Sequence, residues 1–193
     1  MNKKKILFGI CGSFCNHRQV LSELHWLQQD HDITFVLSEC VRTSSTRFFR
    51  KEEFRSELEK LSDHPIIDSI VESEKIGPAK AHDLMVIAPA TANTVSKLAN
   101  GIYDGSVTLA AKAMLRNERP VLIGMSTNDF IGASGANLLR LSARKHIYLV
   151  PMYQDDPLHK PRSVTSRWDL LKEALDAALQ EKQLQPVFTE TAP

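Results

Sequence analysis

Residues 87–101 read IAPATANTVSKLANG. An apolar strand ends in this segment, small hydroxyl and amide residues follow it, and a helical pattern begins near Thr91. An open α/β sheet binds its ligand beyond the carboxyl ends of its strands, and the N-terminus of a helix attracts an anion such as a phosphate. The same hydroxyl groups also serve as ordinary helix caps. The segment therefore predicts a strand–turn–helix unit, and it predicts a ligand site only if a second segment converges on it.

A second unit of this kind stands near the beginning of the chain. Residues 5–10, KILFGI, form an apolar run that is followed by Gly12 and Ser13. Gly12 allows the backbone to approach a ligand closely, and Ser13 adds a hydroxyl and an N–H group at the turn. The turn lacks the third glycine of a dinucleotide fingerprint and the lysine of a phosphate-binding loop, so the motif is weak when taken alone.

Two further apolar runs also end in hydroxyl residues. Residues 33–37 are followed by Ser38, and residues 121–124 are followed closely by Ser126 and Thr127. Parallel strands place their carboxyl ends on one edge of a sheet. The four strand ends therefore predict one pocket rather than four separate turns.

The composition favours a single globular domain. The chain has 193 residues, 42% of them hydrophobic, and a formal net charge of +1. We expect one globular domain over residues 1–187 and a frayed tail over residues 188–193. The balanced charge offers no basic surface for nucleic acid or for a membrane. No apolar stretch approaches the roughly 20 residues that span a bilayer, and the lysine run at the N-terminus precedes too short an apolar segment for a signal peptide.

The cysteines predict reduced thiols. They are three in number, and the spacing of Cys11 and Cys15 matches neither a zinc site nor a redox pair. We expect free thiols in a cytoplasmic protein and no metal site. A second interpretation, left open here, places Cys11 against the ligand.

Alternating apolar runs and helical periods predict the fold class. The fold is expected to be a doubly wound, Rossmann-like open parallel sheet with helices on both faces, a three-layer α/β/α arrangement. The predicted strands are residues 5–10, 32–37, 84–88, 120–124 and 146–150. The predicted helices are residues 17–29, 47–61, 91–100, 105–116, 133–144 and 164–182.

Two polar segments carry further candidate residues. Residues 41–49 follow the second strand and contain Arg42 and Arg47, and residues 151–163 form a long segment with prolines. Long ordered loops are often functional. Within the second segment Asp155-Asp156 is interpreted as a turn and surface pair, although two carboxylates also suit acid–base or metal chemistry.

These motifs resemble those of the flavoprotein family of homo-oligomeric flavin-containing cysteine decarboxylases. The run Pro-Ala-Thr-Ala-Asn-Thr at residues 89–94 is similar to the Pro-Ala-Ser-Ala-Asn-Thr signature of that family, and residues 97–101, residues 9–13 and Ser38 also match. A narrower resemblance, to a branch found in spore-forming bacteria, covers the chain to about residue 187. It is carried by residues 46–48, 111–117, 126–129 and 154–157 and by Lys160-Pro161.

The resemblance implies an FMN site at the strand ends. Gly12 and Ser13 would hold the phosphate or ribityl end with Ser38 beside them, and Ser126 and Thr127 would close the far side. The start of the helix predicted at residues 91–100 would contact the cofactor through Thr91, Ala92, Asn93 and Thr94.

The resemblance also implies an activity and partners. The branch oxidises a dihydrodipicolinate-type precursor to dipicolinate in the mother-cell cytoplasm of a sporulating bacterium. It acts with a second subunit that binds NADP or NAD, and family members form trimers or dodecamers. Arginine and lysine suit the two carboxylates of such a substrate. The candidates are Arg47, Lys160 and Arg162, with Arg42 as a further cation, and the sequence assigns no catalytic residue.

Two departures from the family leave alternatives open. Decarboxylating relatives carry a histidine shortly before the signature strand, where residues 70–77 of this chain have none. They also carry Pro-x-Met-Asn, where this chain reads Gly124-Met125-Ser126-Thr127-Asn128. Loss of a positioned base costs about 10²–10⁴-fold in rate, so cysteinyl decarboxylation is an alternative rather than the main interpretation. The other alternative is a non-catalytic scaffold with the flavoprotein fold that activates its nicotinamide-binding partner.

Overall fold

The computed structural model describes residues 3–190. The expectations for residues 1–2 and 191–193 therefore lie outside the described part of the chain. The strands are β1 (Lys4–Ile10), β2 (His31–Leu37), β3 (Leu84–Ala90), β4 (Val121–Thr127), β5 (Ile147–Leu149), β6 (Met152–Tyr153) and β7 (Val164–Ser166). The helices are α1 (His17–Asp30), α2 (Glu39–Thr43), α3 (Lys51–Glu59), α4 (Ile70–Glu74), α5 (Ile76–Ala79), α6 (Ala92–Ala99), α7 (Ser106–Arg116), α8 (Gly135–Ser142) and α9 (Leu171–Leu179).

The strands form one sheet that is parallel except at one end. The order is β2-β1-β3-β4, with β5 parallel to the first half of β4 and β7 antiparallel to its last residues. The chain runs from β1 to β2 on one side and then crosses back to place β3 on the other side. The change of direction opens a crevice at the carboxyl ends of β1 and β3, which is where open α/β sheets bind ligands. The predicted doubly wound parallel sheet is confirmed.

The core lies in two layers, one on each face of the sheet. Phe8 and Phe35 lie side by side on β1 and β2, and their rings meet edge to face at 6.2 Å between centroids. Helices α1, α3 and α9 cover this face, and α6, α7 and α8 cover the other. All seven residues of β3 are buried, which explains why the strand is apolar throughout instead of alternating.

The largest correction concerns the predicted helix over residues 164–182. Val164–Ser166 is the strand β7, a short 3₁₀ turn follows at Trp168–Leu170, and only Leu171–Leu179 is α-helical. The strand forms because the end of β4 needs backbone partners, and Ser126 and Thr127 pair with Thr165 and Val164. The segment 151–163 likewise contains a strand, β6, which pairs with β7.

Smaller differences concern helix ends. The predicted helix 47–61 is shortened to Lys51–Glu59, because residues 46–49 form a turn in which Thr46 N donates to Phe49 O. The helices α2, α4 and α5 have five, five and four residues, and segments so short carry no helical period. The predicted helix 133–144 begins at Gly135, after an irregular turn.

The described part of the expected tail is paired with β6. Met152 N donates to Val187 O at 2.8 Å, and Thr189 N donates to Met152 O at 2.9 Å. The chain through residue 189 is therefore held against the sheet, where the sequence predicts fraying from residue 188. Within residues 3–190, no helix is long and apolar enough to cross a membrane.

Candidate functional site

A cleft of about 730 Å³ opens at the carboxyl edge of the sheet, where β1, β3 and β4 end. Its volume falls in the range of small-molecule sites. We call it the carboxyl-edge cleft. It is lined by Ser13, Cys15, Asn16, Gln19, Thr91, Ala92, Asn93, Ser126, Thr127, Asn128, Tyr153, Asp155, Lys160, Ser163, Val164 and Thr165.

The turn after β1 packs directly against the turn after β3. Cys11 N donates to Pro89 O at 3.3 Å. A Cβ atom added at Gly12 would lie 3.1 Å from Cγ2 of Thr91, so a larger residue at this position would press the two turns apart. Ser13 follows in the left-handed region, at φ 60°, and its Oγ donates to Ser126 O at 2.8 Å. The first turn is thereby joined to both β3 and β4.

Unsatisfied backbone N–H groups converge at these two turns. Thr91 caps α6, because its Oγ1 accepts from Thr94 N at 3.2 Å. Within the described chain, the N–H groups of Ala92 and Asn93 have no acceptor, and neither do those of Gly12 and Ser13. Buried or half-buried N–H groups normally have a partner. Together with the positive end of the helix, they make this corner of the cleft suited to an anion.

Asn16 connects the first turn to the opposite wall, a role that sequence reasoning missed. Its Nδ2 donates to Ser126 Oγ at 2.7 Å, and its Oδ1 accepts from Trp168 Nε1 at 3.1 Å and from Thr165 Oγ1 at 3.4 Å. The sequence interpretation placed Thr165 and Trp168 inside the predicted helix 164–182 and named neither as a site residue. The β-branched, hydroxyl-containing run Val164-Thr165-Ser166 resembles the other strand ends and is the signal that could have revealed this wall.

The remaining wall carries an ion pair. Lys160 Nζ lies 3.1 Å from Oδ2 of Asp155, and both residues line the cleft. The Asp155 carboxylate raises the pKa of Lys160, so the lysine is charged at neutral pH. Asp156 instead closes the loop, because its Oδ1 accepts from His159 N at 3.0 Å. The turn interpretation therefore describes Asp156, whereas Asp155 faces the cleft.

The structure brings most of the predicted cofactor residues together. Those that line the cleft are Ser13, Thr91, Ala92, Asn93, Ser126 and Thr127. Gly12, Ser38 and Thr94 lie beside it without lining it: Gly12 abuts Thr91, Ser38 N donates to Ile10 O at 3.0 Å, and the buried Thr94 contacts Thr91.

The predicted substrate cations are divided. Lys160 lines the cleft, whereas Arg47 and Arg162 do not. The Arg47 guanidinium stacks on the ring of Phe48 at 4.8 Å. Arg162 is exposed, and its backbone carbonyl accepts from Phe130 N at 2.8 Å. Among the described residues that line the cleft, Lys160 is therefore the one cation placed to meet a ligand carboxylate.

The interpretation that Cys11 faces the ligand is wrong. Cys11 is 1% exposed, whereas Cys15 is exposed on the cleft wall. Burial raises the pKa of the Cys11 thiol to about 12. His17 is also buried, with Nε2 2.9 Å from Cys11 O. Burial lowers the pKa of His17, which favours a neutral ring, and none of the described residues that line the cleft is a histidine.

The thiols provide a direct check of this arrangement. At pH 8 we expect Cys15 and Cys40, which are exposed, to react with a thiol reagent in the native protein. Cys11 should react only after unfolding, because its thiol has a pKa of about 12, is almost wholly protonated and is shielded from the reagent. A bound ligand should slow the labelling of Cys15 and leave Cys40 unaffected. Rapid labelling of Cys11, located by peptide mass analysis, would contradict the buried position.

Comparison with known proteins gives matches over nearly the whole chain. A family model described as Flavoprotein matches residues 1–155. The dipicolinate synthase B subunit of Bacillus subtilis (strain 168) is 43% identical over 188 residues, which cover 97% of this chain and 94% of that protein. The crystal structure of the dipicolinate synthase B subunit from Bacillus halodurans matches with a TM-score of 0.90 and 41% identity, covering 99% of this chain and 100% of the other.

A more distant structure shares the fold. DmrB from Burkholderia xenovorans, crystallised in complex with FMN and described as a cubic protein cage for redox transfer, matches with a TM-score of 0.68 and 18% identity. The match covers 92% of this chain and 96% of that one.

Proposed function

Because this chain belongs to the flavoprotein family, we propose that it binds FMN in the carboxyl-edge cleft and is a subunit of an enzyme that forms dipicolinate. The chain is a close homologue of the dipicolinate synthase B subunit over nearly its full length. The observation that carries the proposal is the convergence of unsatisfied N–H groups from two turns on one cleft of suitable size.

The residues present fit a phosphorylated flavin. The N–H groups of Gly12, Ser13, Ala92 and Asn93 would hold the phosphate, since each lacks an acceptor within residues 3–190. Ser126 and Thr127 offer hydroxyl groups on the wall formed by β4. Gly12 is buried beside the cleft, and a Cβ atom there would press on Thr91 and separate the two turns that carry these N–H groups. When bound, the flavin supplies a two-electron acceptor.

The chain's own residues would bind and orient the second ligand. Oxidation of a dihydropyridine dicarboxylate removes a hydride and a proton and produces an aromatic ring, which supplies the driving force. Lys160 would pair with one substrate carboxylate, and Asp155 would keep the ammonium group directed into the cleft. The half-buried Tyr153 on β6 would cover the substrate from the wall opposite α6 and exclude water.

The proposed partner is the A subunit of dipicolinate synthase, with NADP or NAD bound to that partner. The name of the Bacillus subtilis relative, a B subunit, implies such a partner. We also infer a homo-oligomer, a trimer or a dodecamer, since Arg47 and Arg162 lie outside the cleft of a single chain and a neighbouring copy could use them. The proposed location is the mother-cell cytoplasm of a sporulating bacterium.

The scaffold alternative has one observation in its favour. Among the described lining residues there is no histidine, and the carboxylate of Asp155 is already paired with Lys160. A general base is therefore not evident in the cleft of a single chain. In this alternative the partner's nicotinamide would accept the hydride, and the present chain would stabilise its partner.

Flavin binding tests the proposal first. We expect the purified chain to take up FMN, which is detected by the visible absorption of oxidised flavin. Riboflavin should bind at least about tenfold more weakly, because it lacks the phosphate and the charge-assisted hydrogen bonds that the phosphate adds. Equal affinity for both flavins would contradict the phosphate assignment. A chain that takes up neither flavin would contradict the proposed function.

Reconstitution separates the two candidates. Dipicolinate formation is measured with this chain and its partner separately, with the two together, and with the two together after removal of flavin. If flavin takes part in the reaction, activity requires both proteins and FMN. Full activity of the pair without flavin would favour the scaffold.

A further inference from the structure

The amide of Asn16 can adopt only one orientation. The indole Nε1–H of Trp168 is a donor and cannot accept, and it lies 3.1 Å from the Asn16 amide. The atom that faces it must therefore be the oxygen, Oδ1. Thr165 Oγ1, at 3.4 Å, can donate to the same oxygen. Asn16 and Trp168 are 8% and 5% exposed, so these bonds are largely shielded from water.

With Oδ1 fixed, the amide nitrogen must face the cleft wall. Asn16 Nδ2 donates one hydrogen to Ser126 Oγ at 2.7 Å and directs the other towards Cys15 Sγ at 3.3 Å. All four hydrogen-bonding positions of the amide are thereby used. Asn16 has no capacity left to contact a ligand, so any effect on the ligand passes through Ser126 or Cys15.

The bond from Asn16 determines what Ser126 can offer. A serine hydroxyl has one hydrogen and two lone pairs. Because Ser126 Oγ already accepts from Asn16, its hydrogen must point elsewhere, and no residue in the described range 3–190 accepts it. Ser126 is half-buried and lines the carboxyl-edge cleft. The hydrogen is therefore available to a bound molecule.

We propose that Asn16, held by Trp168, is a positioning residue that makes Ser126 a hydrogen-bond donor to the cleft, so that this wall selects a ligand atom that accepts hydrogen bonds. The identity of the ligand as a flavin rests on the proposed function; the orientation of Asn16 does not. FMN carries acceptors in three parts: the phosphate, the hydroxyl groups of the ribityl chain, and the ring system with its carbonyl oxygens and ring nitrogens. Riboflavin keeps the ring and the ribityl chain and lacks the phosphate, so comparing how much Ser126→Ala weakens the binding of each flavin shows whether the phosphate meets Ser126.

The orientation of Asn16 is tested without any ligand. The chain contains two tryptophans, of which Trp26 is 61% exposed and Trp168 is buried. We expect two indole N–H signals in a ¹H–¹⁵N spectrum, with only the Trp168 signal protected from exchange with solvent and shifted by Asn16→Asp. If both indole signals exchange equally fast, or if Asn16→Asp leaves both in place, the proposed orientation is wrong.

The effect on the ligand is tested by reversing the hydrogen bond. In Asn16→Asp an ionised carboxylate can only accept, so it takes the Ser126 hydrogen and turns a lone pair towards the ligand. We expect FMN to bind roughly tenfold or more weakly in this variant, and roughly threefold to tenfold more weakly in Ser126→Ala, which lacks the donor altogether. Ser166→Ala is the matched control. It removes a buried hydrogen bond to Met125 O, which lies on β4 next to Ser126, and it leaves Asn16 unchanged.

The double variant separates the hydrogen bond from the added charge. If Asn16 acts through Ser126, Asn16→Asp weakens FMN binding much less in a Ser126→Ala background than in the wild type. Equal effects in both backgrounds would overturn the proposal, because a charge or folding effect does not need Ser126. Wild-type affinity in Ser126→Ala would also overturn it. A wild-type chain that binds neither flavin would contradict the proposed function, and the indole signals alone would then decide the orientation of Asn16.

Discussion

Gly12→Val is expected to weaken FMN binding by roughly 100-fold or more, while the chain stays folded. A Cβ atom at Gly12 would lie 3.1 Å from Thr91 Cγ2 and 3.6 Å from Cys40 Sγ. The two methyl groups of valine would extend further into that space and separate the turns after β1 and β3. Each charge-assisted hydrogen bond that is lost costs about 1.5–3 kcal/mol, so the loss of two accounts for the expected change.

Gly105→Val is the matched control for this experiment. A Cβ atom at Gly105 meets only Thr108 Oγ1, at 3.7 Å, and the residue lies at the start of α7, outside the cleft lining. We expect its FMN affinity to stay within roughly twofold of the wild type. Circular dichroism and equilibrium titration of flavin fluorescence provide the two measurements. Wild-type affinity in Gly12→Val would show that the turn after β1 does not contact the ligand.

Trp168→Ala is expected to lower the free energy of unfolding by about 3–5 kcal/mol. The indole is 5% exposed and lies directly on β4, since a Cβ atom at Gly124 would be only 2.8 Å from Trp168 Cζ3. Its removal leaves a large cavity between the sheet and α9. It also removes the donor that holds Asn16, so flavin affinity should fall with stability.

Trp26→Ala provides the comparison for the second prediction. This tryptophan is 61% exposed on α1, and its replacement should change the free energy of unfolding by less than about 0.5 kcal/mol. Urea denaturation followed by circular dichroism measures both variants. Similar small losses in the two variants would contradict the packing of Trp168 against β4.

The parts of the fold that the sequence predicts well are encoded locally. The five parallel strands are apolar runs, and the turns after β1 and β3 carry the glycine, hydroxyl and amide residues that such positions require. Because parallel strands share one edge, the presence of Ser13, Asn93 and Ser126 in one cleft follows from the strand order. For this reason the predicted pocket could be located from the sequence alone.

The parts that the sequence misses depend on distant partners. The strands β6 and β7 have two and three residues, and they exist because the last residues of β4 offer unpaired backbone groups. The apolar spacing of α9 continues backward to Val164 by chance and suggested a longer helix. The role of Asn16 could not be seen, because Ser126, Thr165 and Trp168 are at least 110 positions away in the sequence.

The position of the ligand tests the central claim most directly. A crystal structure of the chain with FMN should show the phosphate against the N–H groups of Ser13 and Asn93, and the Ser126 hydroxyl within hydrogen-bond distance of an acceptor atom of the flavin. A flavin bound elsewhere, for example in the separate cleft of about 570 Å³ lined by Lys3 and Lys60, would contradict the claim.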